Sequence, residues 1–364
     1  VHPTQAIKDE RLGSIDPFFV QLTVILILLG LTFVISASWH ESVRYFGNPW
    51  SFIIRHIVAI SFGTAVMAIS SFWHIQWWKK YAWHFIIAVI LGLAITAKFG
   101  IISGGARRWL DLGFINLQVS EFAKIFAVLI MAKVLAEKKN RGLALLAVMV
   151  MAFFVLKQPD LGSSILIMAG AVSVIFASGF NLFLFISTLA GLGYLGWYQV
   201  VHTSYQMERI QYWLDPYSDP LGHGYNLIQS IKAIGAGGFF GVGLGGSLQK
   251  LGPLPISYAD FIFSIICEEV GFLGAVTLLL LLFAWVFKAL EICFKSEDDF
   301  AKLFGFGITM VFAFQVLINI GVATGLFPIT GMTLPLISFG GSSFLAASLI
   351  TGIIMNISRH NPVD

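Results

Sequence analysis

Charge is what this sequence has least of. Only 11% of its 364 residues are Asp, Glu, Lys or Arg, while 57% are hydrophobic; a soluble globular domain carries roughly 25% charged residues. That shortage excludes an ordinary water-soluble core. Cysteine is scarce as well. Cys267 and Cys293 are the only two, both sit in or beside apolar runs, and they form neither a disulfide framework nor a zinc pattern. The net charge is +3, with no basic tract and no Cys/His cluster, which removes nucleic acid as a partner. The first apolar run, 17–37, is too long for the core of a cleaved leader, and similar runs follow it to the end of the chain. It reads as a first membrane helix. The abundant residues agree: 34 Phe and 36 Gly suit helices that pack closely through small residues and turn Phe towards acyl chains.

A spanning helix needs about 20 mostly apolar residues. The sequence therefore predicts an all-α integral membrane protein, a single polytopic domain over 1–364 with about ten transmembrane helices near 17–37, 52–72, 82–98, 119–136, 142–157, 161–179, 181–200, 259–287, 302–322 and 340–357. Lys and Arg set the orientation. Lys8, Arg11, Lys79, Lys80, Lys138, Lys139, Arg141, Lys288, Lys295 and Arg359 gather on one side, which predicts both termini in the cytoplasm. Arg107 and Arg108 break that rule in a short outer loop. The longest outer segment, about 201–258 between helices 7 and 8, is rich in aromatics and is too long for a plain connection. Within it, 225–235 has near-helical apolar spacing and predicts a helix at the outer interface, interrupted by Gln229 and Lys232.

Ionisable groups inside apolar spans are costly, and they either serve function or pair with one another to hold helices together. Asp260, at the start of the eighth predicted span, has two readings: a helix cap favoured by the dipole, or a general base facing a cavity. Glu268 and Glu269 lie deeper on the same helix and suit packing, with at least one paired to a cation. Arg107, Arg108 and Trp109 make a basic, aromatic patch that fits either lipid head groups or the phosphates of a lipid-linked substrate, which Arg clamps in bidentate fashion. Glu121 and Lys124, three residues apart, share a helix face. In 157–164, Pro159 ends one helix and Asp160 suits a cap on the next. The stretch 325–343 has glycines and prolines that forbid a continuous helix. Such backbone is tolerated at membrane depth only against protein or a water-filled cavity, so Ser342 and Ser343 are expected to offer hydroxyls there, with Gln315 and Asn319 turned inward. Two motifs mislead: GVGLGG (241–246) lacks the strand that a dinucleotide fingerprint requires, and Asp219, His223 and nearby serines lack the elbow of a catalytic triad.

Several segments, in order, resemble the SEDS family (shape, elongation, division and sporulation), typified by RodA and FtsW: GARRW (105–109) with QVSEFAK (118–124), KQPDLGSS (157–164), DPLGHGYNLIQSIKAIGAGGFFGVGLG (219–245), ADFIFSIICEE (259–269) and TGLFPITGMTLPLISFGGSS (324–343). The likeness runs from about 17 to 357. It implies ten membrane helices in a bacterial cytoplasmic (inner) membrane and a peptidoglycan glycosyltransferase that polymerises lipid II at the outer face. It implies Asp260 as the essential aspartate, and Arg108, Glu121 and Lys124 as the family's conserved charged positions, expected to bind substrate. Trp109, Gln229, Ser342 and Ser343 are expected beside them as substrate contacts. A class B penicillin-binding protein is the implied partner, and a divalent cation (Mg2+ or Mn2+) the implied cofactor, with its ligands unknown. Two departures stand out: Ile256, Tyr258 and Ala259 replace the family's usual residues ahead of the aspartate, which bears on metal or acceptor contacts, and Val119 replaces a proline. AIGAGGFFG and PITG look like RodA, whereas GLGGSLQKL looks like FtsW; the short leading tail tips the reading to RodA and cell elongation, with FtsW-like septal synthesis as the alternative. The rival class is a lipid II flippase, since broken helices also suit transport.

Overall fold

A computed structural model describes residues 13–103, 106–111, 113, 116–179, 197, 201 and 204–361. Residues 17–99 form three long helices, α1 (Pro17–Phe46), α2 (Trp50–Phe72) and α3 (Ile75–Phe99). A small antiparallel sheet follows, with β1 (Ile101–Ser103), β2 (Ala106–Asp111) and β3 (Asn116–Leu117) in that spatial order. Then come α4 (Val119–Glu137), α5 (Arg141–Lys157), α6 (Leu161–Ala177), α7 (Ser204–Leu214), α8 (Tyr225–Gly237), α9 (Ile262–Phe294), α10 (Asp299–Ala323) and α11 (Gly341–Arg359). The seventh predicted span, 181–200, lies outside the described residues apart from Trp197. Of the described helices, α1, α2, α3, α9, α10 and α11 are long and apolar enough to cross a membrane, and α6 is a shorter apolar helix of 17 residues.

Lipid-type surfaces and core are distinct. Leu28, Phe62, Leu91 and Phe283 project outward from α1, α2, α3 and α9, as expected of helices whose solvent is hydrocarbon. α4 is the opposite case. Nearly its whole circumference is buried, from Val119 through Leu135, so it runs through the middle of the bundle against α3, α6 and α10. A helix buried all round is predicted for a core position, and its charged residues must then meet protein rather than lipid.

The helices run further than their apolar cores. α3 begins at Ile75 rather than near 82, because Ile75 and Trp78 are buried while Gln76 and Lys80 are exposed; the polar residues interrupt the run without interrupting the helix. α1 continues to Phe46, where buried Glu41 accepts the Ile256 amide at 3.2 Å. The sheet had no counterpart among the predicted elements. Strand alternation sends neighbours to opposite faces, and it separates the two arginines: Arg107 is exposed and Arg108 half-buried.

The predicted interfacial helix is α8, whose buried face carries Leu227, Ile228, Ser230 and Ala233. The Ser230 hydroxyl lies 2.6 Å from that of Ser264 and donates to the Ala323 carbonyl at 2.6 Å, fastening α8 to α9 and α10. The glycine-rich stretch after α8 has a structural purpose. Within α9, Gly271 takes a left-handed φ of 67° and breaks the helical ladder. The freed Glu268 and Glu269 carbonyls accept the amides of Val242 and Gly243, both at 3.0 Å, while Phe272 and Leu273 donate to the Gly238 and Phe239 carbonyls at 2.9 and 3.2 Å. Backbone groups in a membrane protein have to be satisfied internally, and this strand-like exchange does so. Lys250 closes the stretch: its ammonium reaches Glu269 at 2.5 Å and Ser36 of α1 at 2.8 Å. Glu269 is thus paired to a cation, and Glu268 accepts the Leu248 amide at 2.9 Å.

A Cβ on Gly271 would overlap the Gly241 amide, and the left-handed backbone adds roughly 1–2 kcal/mol for any side chain. Gly271→Ala should therefore lower the detergent-solubilised melting temperature clearly. Gly235→Ala on α8, where a Cβ meets open space, should leave it unchanged or raise it slightly. Differential scanning fluorimetry of the two variants checks this contrast.

Candidate functional site

After Ala323 the chain cannot continue as helix. Gly325, Gly331 and Leu336 take φ values of 79°, 74° and 62°, and residues 325–340 run as turns and irregular backbone to the start of α11. Two amides one turn apart on α10 carry this segment. Asn319 donates to the Met332 carbonyl at 2.6 Å and to the Asp260 carbonyl at 2.9 Å. Gln315 donates to the Thr333 carbonyl at 3.1 Å and to Ser343 at 3.3 Å. The turn ahead of α9 sits on the same segment: Ser338 donates to the Ala259 carbonyl at 2.7 Å, and the Phe339 amide to the Tyr258 carbonyl at 3.0 Å. The broken stretch and the turn bearing Asp260 are therefore one assembly.

Asp260 stands two residues before α9, outside the membrane-spanning helices. It is not the helix cap. That position belongs to Phe261, with no side-chain cap bond, and the Asp260 carboxylate takes no hydrogen bond from the described residues. It lies beside Gly331, where a Cβ would come within 3.6 Å of Oδ2. Burial raises its pKa to about 6, against the opposing pull of the Arg209 and Arg108 charges. A half-buried carboxylate without a fixed partner, raised by burial to about 6 against the pull of two guanidinium charges, is suited to taking up a proton.

Arg108 approaches from β2. Its guanidinium donates to the Gln158 carbonyl at 2.9 Å and the Pro159 carbonyl at 2.5 Å, which fixes it on the turn between α5 and α6. Asp160 in that turn caps α6 by accepting the Ser163 amide at 3.0 Å and also takes Gln118 at 3.2 Å, a structural duty. Arg107 instead donates to the Lys98 carbonyl at 2.7 Å at the end of α3. Arg209 was not foreseen. It lies in SYQMERIQYWL, which has no long apolar run; the available signal was that Arg209, Lys232 and Lys250 are the only Lys or Arg residues between 201 and 258. Its guanidinium donates to the Ile329 carbonyl at 2.9 Å, and Trp213 of the same helix donates to the Gly325 carbonyl at 2.8 Å.

Several residues expected to meet substrate are engaged by protein. Lys124 pairs with Glu121 at 2.9 Å and donates to Gln315 at 2.8 Å; it is 1% exposed. The cavity between them and Ser343 measures about 10 Å³, which holds at most a single water. Ser342 accepts the Gln118 amide and donates to the Asn116 carbonyl, both at 2.9 Å. Ser343 accepts from Thr333 at 2.6 Å. Deep in a helical bundle, a charge or hydroxyl is satisfied by the nearest protein group: for Glu121 and Lys124 each other and Gln315, for Ser342 the chain from β3 into α4, and for Ser343 the broken segment. Trp109 on β2 and Gln229 on α8 are half-buried, with no hydrogen bond from either side chain to the Asp260 assembly. No three His, Cys, Asp or Glu side chains among the described residues converge as a metal-binding group.

A many-helix membrane bundle with a half-buried carboxylate on a broken, amide-braced segment is the class of protein that fold and site define. The chain belongs to the FtsW/RodA/SpoVE family of cell cycle proteins, the SEDS proteins, whose family model matches residues 17–362. It is 38% identical over 355 residues to the probable peptidoglycan glycosyltransferase FtsW of Aliivibrio salmonicida, covering 94% of this chain and 89% of that one. It is 35% identical to stage V sporulation protein E of Bacillus subtilis, covering 96% and 98%. Among solved structures, a chain from "Structural coordination of polymerization and crosslinking by a peptidoglycan synthase complex" matches with a TM-score of 0.79 and 30% identity over 94% of this chain and 97% of that one. Rod shape determining protein RodA of Thermus thermophilus matches with a TM-score of 0.72 and 26% identity over 96% and 98%.

Removing one partner of a buried ion pair costs about 3–5 kcal/mol. Lys124→Met should therefore lower thermal stability sharply, and adding Glu121→Gln should restore part of the loss. Melting curves of the single and double variants in detergent measure the coupling.

Proposed function

We propose that the chain is a peptidoglycan glycosyltransferase that polymerises lipid II at the outer face of a bacterial cytoplasmic membrane. The observation that carries this reading is Asp260: a carboxylate without a fixed partner, seated on the broken segment within reach of two guanidinium charges. Similarity to relatives named as peptidoglycan glycosyltransferases supports the reaction type. The Lys and Arg distribution supports both termini inside and the Asp260 end outside, with about ten spans including 181–200 and the whole of 1–364 as one polytopic domain.

In the proposed reaction Asp260 accepts the proton of an acceptor sugar hydroxyl. That oxygen attacks the anomeric carbon of the lipid-linked donor, and the polyprenyl pyrophosphate departs with the electron pair of the broken C–O bond. Charge growing on the leaving group falls within the field of Arg108 and Arg209, where fixed cations act most strongly. The described residues do not supply a cage for a resident divalent ion. A Mg2+ or Mn2+ carried on the pyrophosphate needs only one or two carboxylates, and in that form a divalent cation belongs to the proposal. A class B penicillin-binding protein, whose transpeptidase joins the new strands, is the proposed partner.

Whether the strands serve elongation or division is the finer question. The segments AIGAGGFFG and PITG favour a RodA-like role in cell shape. The relatives named FtsW fit a septal role at least as well, and the solved RodA structures fit the fold either way.

Asp260→Asn should express and melt like the parent yet lose at least about 10²-fold in polymerisation, the lower end of what general base catalysis supplies. The assay gives lipid II directly in detergent, so no flipping is needed; near-normal glycan from this variant would end the base assignment. Because the base must be ionised, kcat/KM should fall as pH drops through about 6. Arg209→Gln removes a charge that lowers this pKa, so the acid limb should move to higher pH. A pH–rate profile of the two chains decides it.

A further inference from the structure

Arg209 belongs to two places. Its charge reaches Asp260, and its side chain also lines a cavity of about 380 Å³ between α7, the turn that follows it and the start of α8, together with Tyr212, Asp219, His223, Asn226 and Ile329. Small-molecule sites occupy roughly 300–1,000 Å³, so this one has room for one or two sugar rings.

The walls of this cavity are fixed before any ligand arrives. The Tyr212 and His223 rings stack with centroids 4.8 Å apart and planes at 11°. The Asp219 carboxylate accepts the His223 amide at 2.9 Å through Oδ2, which sets the turn. The bonds from Arg209 and Trp213 to Ile329 and Gly325 anchor α7. Pre-organisation of this kind lowers the cost of binding. What remains is unused hydrogen-bonding capacity: Asp219 Oδ1 and the Asn226 amide take no hydrogen bond from the described residues. Asp219 and His223 are not members of a catalytic triad, since the His223 ring lies against Tyr212 and nearby Ser218 donates to the Asp215 carbonyl at 2.6 Å.

The chemistry selects among ligands. A pyrophosphate would meet one cation beside a carboxylate that repels it. A polyprenyl tail would meet polar walls. A neutral acetamido sugar has hydroxyls to donate to Asp219, an amide to pair with Asn226 and C–H faces to lie against aromatic rings. We propose that this cavity is a saccharide subsite, which holds an uncharged pyranose of the glycan close to the one that reacts at Asp260. It rests on the glycosyl-transfer reading above, and it adds a binding site that acts apart from the chemistry.

The test titrates N,N′-diacetylchitobiose into the detergent-solubilised full chain, read by saturation-transfer NMR and by tryptophan fluorescence, since Trp213 also borders the cavity. Saturable binding is expected for the parent and equally for Asp260→Asn. Asn226→Ala and His223→Ala, with melting temperatures like the parent, should bind about tenfold more weakly, as loss of one good polar or ring contact implies. No saturable binding by the parent, or unchanged binding by both folded variants, overturns the subsite. The two readings separate. Polymerisation by Asp260→Asn would remove the catalytic role and leave the saccharide result standing, whereas absent saccharide binding with intact polymerisation would remove only the subsite.

Discussion

The stretch from Gly325 to Gly340 has no helical ladder of its own, and the amides of Gln315 and Asn319 provide the bonds it lacks. In hydrocarbon an unsatisfied carbonyl costs several kcal/mol. Without those two side chains, or Ser338 against Ala259, the broken segment would be forced towards helix or out of the bundle. With them, it stays open beside α10 and the turn bearing Asp260 rests upon it. Asn319 bonds both halves, one donor hydrogen to each, so the position of the carboxylate is tied to the conformation of the segment. Gln315 extends the same bracing to Lys124 and Glu121 on the central helix.

A second broken element mirrors the first. α9 is interrupted at Gly271, and the chain after α8 restores its lost hydrogen bonds. Lys250 then pins that chain to Glu269 and to α1. One irregular region carries the turn ahead of α9, and the other repairs the break at Gly271 within it. Asp260 stands on a segment that is irregular in backbone yet braced by the side chains of Asn319, Gln315 and Ser338. Arg209 and Arg108 arrive from outside the long helices, from α7 and β2, and each donates to backbone carbonyls that hold it in place. A carbonyl positions a guanidinium without cancelling its charge, so both act on Asp260.

Much of this was legible in the sequence because lipid imposes a simple rule on composition. Apolar runs marked α1, α2, α4, α5, α6, α9, α10 and α11, and the glycines and prolines of 325–343 marked the broken segment. The inward turn of Gln315 and Asn319 followed from the cost of polar groups in hydrocarbon. The ends of helices were less visible, since α3 extends back through Gln76 and Lys80, where polar side chains interrupt a run without breaking the backbone. The sheet carrying Arg108 was hidden because the short run ARRWLD gives too little alternation to announce a strand. Arg209 escaped because its helix is short and mixed in character. The protein partners of Ser342, Glu121 and Lys124 were not all legible, because a sequence reports that a polar group lies inside a bundle and not which partner it finds there.

The account stands on Asp260 facing a space open to the outside of the membrane. An Asp260→Cys chain tests this directly, because the native Cys267 and Cys293 are both buried and give little background. In intact cells a charged, membrane-impermeant thiol reagent added externally should label the introduced thiol, and more slowly when lipid II accumulates. No labelling from outside, or labelling only after the inner face is exposed, would contradict the account.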